Sequence, residues 1–186
     1  VIRAEACGRA AHQLKEQGFT PDLICAHPGW GEALFLRDIW PDAPLLSYQE
    51  FFYNARGFDY DFDPELQGPL EWQACAKLRM KNANPLLMLE ASSWNVTPTA
   101  FQRSSFPAQF RNRISVIHDG IDTTLASPDP AVSPLTLPDG AVLSAGESTI
   151  TFVNRRIEPY RGCLPFIRAI PAMQQACPDA RIVIGG

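Results

Sequence analysis

No apolar run in the sequence approaches the roughly 18–20 residues of a membrane-spanning helix. Val1-Ile2-Arg3-Ala4-Glu5 lacks the basic, apolar and small-residue order of a secretory leader. The five cysteines, at 7, 25, 75, 163 and 177, are odd in number and form no CxxC pair. That argues against a disulfide framework and a structural zinc, and for reduced thiols in a cytoplasm. The three histidines add no metal-ligand spacing, so no metal site is expected. Charged residues make up only 19% and the net charge is −4, which argues against a general nucleic-acid binder with its basic surface but leaves room for a local basic pocket. GxSxG, the P-loop and GxGxxG are also missing, so the common nucleophile elbow and phosphate-cradling glycine loops are absent.

What is present is an ample apolar fraction, 46%, arranged in short buried-strand runs that alternate with helical patterns. Ile2, Ala6, Ala10 and Leu14 recur every four positions as a helix, with Gly18 as its stop signal. Asp22–Ala26, Leu45–Tyr48, Trp94–Thr97 and Ser115–His118 read as strands. Ala33–Ile39 reads as a short helix with Leu34, Phe35 and Ile39 inward, and Pro69–Ala83 as a longer one. Leu86-Leu87-Met88-Leu89 fits helix or strand, and Thr99 suits a cap for one or two helical turns. Asp59 to Pro64 reads as an acidic turn. Asp59, Asp61 and Asp63 do not make a calcium loop, because its twelfth position would be Leu70.

Pro128, Pro130, Pro134 and Pro138 punctuate a stretch without periodicity, a linker or surface excursion over 127–146. A strand at Ile150–Asn154, a helix over Gly162–Ala176 with Leu164, Ile167, Ile170 and Met173 on one face, and a closing strand follow. Pro171 should kink that helix or mark its boundary. The fold class is α/β, with Rossmann-like parallel sheets. An incomplete first domain is expected at 1–126 and the start of a second at 147–186. Both ends read as cut within elements.

Ligands of open α/β sheets gather beyond the carboxyl ends of the strands, which ranks the candidates. Asn154–Gly162 places three arginines between a strand and a helix N-terminus, where N–H groups and planar guanidinium forks suit a diphosphate. An ordinary solvated loop, with Glu158 pairing one arginine, is equally compatible with that composition. His27-Pro28-Gly29-Trp30-Gly31-Glu32 offers a proton-handling imidazole and two glycines that permit close backbone approach. The alternative is a tight turn with a satisfied histidine. Glu50 with Tyr48, Phe52 and Tyr53 could wall a sugar site or simply be core aromatics beside a surface carboxylate.

Together with Tyr48–Tyr53 and Ser115–Asp122, these segments resemble family 4 glycosyltransferases. They are most similar to a bacterial subgroup carrying the His-Pro-Gly-Trp-Gly-Glu segment. The resemblance implies a GT-B enzyme of two Rossmann-like domains with a cleft between them, truncated here at both ends, so that the fragment alone would be inactive. It implies retaining transfer, without an essential metal or cofactor, from a UDP- or GDP-linked nucleotide-sugar to a glycan or lipid-linked acceptor. Such transfer would serve cell-envelope or exopolysaccharide synthesis in the cytoplasm, with peripheral association at the inner membrane face compatible. By resemblance His27 is catalytic, and Arg156 and Arg161 bind the donor diphosphate. Gly29, Gly31, Glu32, Glu50, Tyr53, Asp119 and Gly120 belong to the cleft or acceptor side. An acceptor-binding module without catalysis, and another GT-B enzyme such as a sugar-nucleotide epimerase, are the competing readings.

Overall fold

The structure, a computed structural model, describes residues 1–63, 65, 66 and 68–186. Pro64, the end of the expected acidic turn, lies outside the described residues. The chain divides into two units, Val1–Gly120 and Ile121–Gly186.

The first unit opens with α1 (Ile2–Glu16), β1 (Ile24–Ala26), α2 (Leu36–Ile39) and β2 (Leu45–Tyr48). It continues with α3 (Trp72–Lys81), α4 (Ala83–Ala91), β3 (Trp94–Thr97), α5 (Ala100–Ser105), α6 (Ala108–Arg111) and β4 (Ile114–Val116). The four strands form one parallel sheet in the order β1-β2-β3-β4. This is the Rossmann-like arrangement expected from the alternating pattern. Every strand therefore ends on the same edge, and the loops after β1, β2 and β4 emerge there.

The core lies in two clusters. Ile24, Trp40, Leu45 and Met88 close one, and Leu89, Phe106 and Ile114 the other. Leu86–Leu89 is settled as helix because Met88 and Leu89, adjacent in sequence, each enter a different cluster. Thr99 does cap α5, its Oγ1 accepting the Gln102 N–H at 3.1 Å.

The inward face of α1 differs from the expected stripe. Ala4, Gly8 and Ala11 are buried, whereas Ile2 and Leu14 are 85% and 45% exposed. The small residues win because they let α1 lie close to Phe35 and Ile39. A Cβ built on Gly8 would sit 3.6 Å from Phe35 Cβ and 3.8 Å from Ile39 Cδ1. For the same reason Phe35 is spread over the surface of α1 instead of entering the core, and α2 is a single turn, shorter than Ala33–Ile39.

The second unit contains a hairpin of β5 (Leu135–Thr136) and β6 (Val142–Leu143). Then come β7 (Thr149–Val153), a short 3-10 turn at Pro159–Arg161, α7 (Cys163–Ala176) and β8 (Arg181–Gly185), which pairs in parallel with β7. The hairpin lies within 127–146, the stretch expected as a linker or surface excursion. Asp139-Gly140, with Gly140 at φ +86°, supplies its turn. On α7, Phe166 and not Ile167 faces the sheet: the Phe166 ring lies 4.8 Å from that of Phe152, and Ile167 is exposed. The helix continues past Pro171 to Ala176.

Because a methyl group at Gly8 would make only ordinary contacts, Gly8→Ala should stabilise the protein by about 1 kcal/mol through helix propensity. Gly8→Leu should destabilise it. Urea unfolding measures both, and a destabilising alanine would contradict this account of the α1–α2 contact.

Candidate active site

A cavity of about 420 Å³ opens at the carboxyl ends of β1 and β2. It is walled by His27, Gly29 and Trp30 from the loop after β1, and by Glu50, Phe51 and Tyr53 from the loop after β2. Met80, Lys81 and Asn84 line it from the joint between α3 and α4. That volume lies within the range of roughly 300–1,000 Å³ typical of small-molecule sites. A larger hollow of about 950 Å³ lies near the opposite strand ends, lined by Arg37 and Arg113. Its cations are occupied: Arg37 donates to Ala91 O at 2.7 Å and Ser93 Oγ at 3.1 Å, and Arg113 to Ser92 O at 2.6 Å.

His27 is held by its own turn. The Gly29 N–H donates to His27 Nδ1 at 3.0 Å, so in the neutral ring the proton sits on Nε2. That nitrogen lies 3.3 Å from Glu50 Oε2 and donates to it. The imidazole thus presents one N–H, already facing a carboxylate, toward the cavity. Gly29 is required for this geometry. A Cβ there would lie 2.7 Å from His27 Cε1 and 2.8 Å from Nδ1, displacing the ring. Gly31 is required twice over, by its φ of +85° and by the amide of Asn84, 3.2 Å from where a Cβ would stand.

Glu32 anchors the turn from outside. It accepts from Arg3 Nη1 at 3.0 Å, and the Arg3 guanidinium lies 4.9 Å from the Trp30 ring centroid. Burial pushes the Glu32 carboxyl up, but a hydrogen bond from its own backbone and the Arg3 guanidinium outweigh this and hold it below the usual range.

Tyr53 is placed by a two-pronged clamp. Buried Asn82 accepts the Tyr53 N–H at 2.9 Å and donates to its carbonyl at 2.8 Å. Lys81 stands 4.4 Å above the Tyr53 ring. Burial, then the charges of Glu50 and Asp59, push the Tyr53 hydroxyl above the ordinary phenol range, so it remains a donor.

Asp119 and Gly120 do not line the cavity. Asp119 accepts from Tyr48 Oη at 3.0 and 3.1 Å, and the Tyr48 ring lies 5.8 Å from that of His27. His118 repeats the His27 device, its Nδ1 accepting the Gly120 N–H at 3.0 Å. Lys81, Asn82, Asn84 and Arg3 went unnoticed in the sequence. The joint between two weakly patterned helices carried no signal, and Arg3 looked like a solvated helix residue.

In the second unit, Arg155, Arg156, Glu158 and Arg161 surround a hollow of about 150 Å³. Arg161 Nε donates to Glu158 Oε1 at 3.2 Å, the pairing that an ordinary loop would show, while Arg155 and Arg156 have no hydrogen-bonded partner among the described residues. The loop leans on the end of β8. Asn154 N–H donates to Gly185 O at 3.0 Å, and a Cβ on Gly186 would meet Ile157 Cγ1 at 2.9 Å and Asn154 O at 3.1 Å. Among the described residues no cluster of three or more His, Cys, Asp or Glu side chains could hold a metal ion, and no helix is long and apolar enough to cross a membrane.

Gly29→Ala should leave thermal stability nearly unchanged, because the site is exposed, yet free the His27 ring from its Nδ1 bond. Melting temperature and ring-nitrogen NMR measured on the same preparations check it. An Nδ1 still hydrogen-bonded in Gly29→Ala would contradict the need for glycine there.

Comparison with known proteins places these features in a family. The model of the glycosyl transferase family 4 group matches residues 1–126, more than half of the chain, and the chain belongs to that group. No curated protein matches it. The match includes the cavity and stops before the arginine loop.

Proposed function

We propose, taking membership of the glycosyl transferase family 4 group as the premise, that the chain transfers a sugar from a UDP- or GDP-linked donor to a glycan or lipid-linked acceptor with retention of configuration. The observation that carries this reading is the gathering of His27, Gly29, Glu50 and Tyr53 around one cavity at the carboxyl ends of β1 and β2. A polyol suits such walls: aromatic faces for its C–H surfaces, and a carboxylate, an imidazole N–H and an amide for its hydroxyls.

His27 is the catalytic contact to the reacting sugar, oriented by Gly29 and Glu50. Tyr53 and Glu50 hold the acceptor. Asp119, through Tyr48, and Gly120 shape the same strand-end edge, while Gly31 and Glu32 fix the turn. Arg156 and Arg161 take the donor's diphosphate. As the sugar–phosphate bond breaks, negative charge grows on the diphosphate, and preorganised cations stabilise that charge more in the transition state than in the ground state. The Glu158 pairing keeps Arg161 in place until phosphate oxygens compete for it. The His-Pro-Gly-Trp-Gly-Glu segment supports a bacterial subgroup. Work on a cell-envelope or extracellular polysaccharide, at the cytoplasmic face of a membrane, is the setting in which such an acceptor is met. The reaction as proposed uses no metal or cofactor.

Losing one such donor costs about 3–4 kcal/mol of barrier. Arg156→Ala with Arg161→Ala should therefore cut release of nucleoside diphosphate at least about a hundredfold. Turnover equal to the parent enzyme would remove both residues from the reaction.

A further inference from the structure

The cavity contains one group that a neutral sugar does not call for. Lys81 lines it, yet its ammonium makes no hydrogen bond or ion pair among the described residues. Glu50, the carboxylate among the lining residues, faces His27. Lys81 is nonetheless not a loose surface lysine. The adjacent Asn82 grips the Tyr53 backbone at 2.8 and 2.9 Å, and this places the Tyr53 ring 4.4 Å beneath Lys81 Nζ. A cation over an aromatic face is held in position while its three N–H donors stay available.

The helix that carries it points the same way. The chain has a net charge of −4, but α3 bears Lys77, Arg79 and Lys81 and no acidic residue. Cations in the last turn of a helix are favoured by its dipole, which accounts for Arg79 and Lys81 being tolerated there. It does not account for an ammonium aimed over Tyr53 at a cavity wall. A local positive field beside a concave site raises the encounter rate of anions.

We infer that the acceptor sugar is acidic, carrying a carboxylate or a phosphate, and that Lys81 reads that charge. The inference rests on the cavity being the acceptor site. The hydroxyls of the sugar meet Glu50, Asn84 and the His27 N–H, its apolar face lies on the aromatic wall, and its anion reaches Lys81 across Tyr53. With a neutral acceptor Lys81 could donate only to hydroxyls or water, whereas an anionic group would meet its charge directly.

The test uses the full chain with Arg155, Arg156 and Arg161 replaced by alanine, so that anions taken by that loop do not interfere. Methyl glucoside and methyl galactoside, the corresponding uronates and the corresponding 6-phosphates are titrated while the Gly29 and Asn84 amide resonances are followed. At least one anionic probe should bind tenfold or more tightly than its neutral counterpart. Lys81→Met should abolish the difference, and Lys81→Arg should keep most of it. Preference between uronate and phosphate names the acidic group. Equal binding of neutral and acidic probes, a preference untouched by Lys81→Met, or no response of the two amides to any probe would overturn the inference. If His27→Ala abolishes turnover while acidic probes show no preference, the transferase reading stands and only the acidic acceptor falls. A charge preference alongside a fully active His27→Ala enzyme would keep the acidic acceptor and remove only His27 from the reaction.

Discussion

The geometry of the first unit depends on one buried amide. Asn95, fully buried at the start of β3, accepts from Gln49 Nε2 at 3.2 Å and from Ser92 Oγ at 2.9 Å. Its Nδ2 and its backbone N–H both donate to Arg113 O, at 3.3 and 3.2 Å. The end of β2, the turn into β3 and the entrance to β4 are thereby tied to one side chain. A buried polar group left unpaired costs about 1–3 kcal/mol. A slip of one residue between these parallel strands would break several such pairs at once and also reverse the buried faces. The register Ser47↔Asn95↔Ile114 follows. Gln49, held by this network and by its N–H to Val96 O at 2.7 Å, fixes the point at which Glu50 leaves the sheet.

From that fixed edge the candidate site is assembled by close approach more than by bulk. Gly29 leaves room for the His27 ring to accept its N–H, Gly31 admits Asn84, and Asn82 brings Tyr53 under Lys81. The loops after two neighbouring strands therefore supply the His27–Glu50 pair, and the helical joint supplies the opposite wall. The cavity lies beyond the carboxyl edge, where open parallel sheets commonly bind ligands, because that edge is where the polar ends of β1 and β2 meet a gap between helices.

Much of this was legible in the sequence. The four strands of the first sheet stood out as short apolar runs. Thr99 announced its helix, and the histidine-glycine segment announced a turn at a strand end. Other features were hidden for physical reasons. The α1 stripe was misread because apolar size was weighed where closeness mattered: Ala4, Gly8 and Ala11 bury while Ile2 stays out. The β5–β6 hairpin escaped because two-residue strands have no periodicity to detect. Lys81 and Asn82 escaped because their roles exist only once α3 and α4 meet over Tyr53, a contact nearly thirty positions away in the chain.

The central claim is that His27 is preorganised before any ligand arrives, with Nδ1 accepting from Gly29 and the proton on Nε2. Nitrogen NMR of the ring in the unliganded protein tests it most directly. The account predicts, for the neutral ring, a single tautomer with a protonated Nε2 and a bare, hydrogen-bonded Nδ1. A ring that averages between both tautomers, or one protonated on Nδ1, would contradict it.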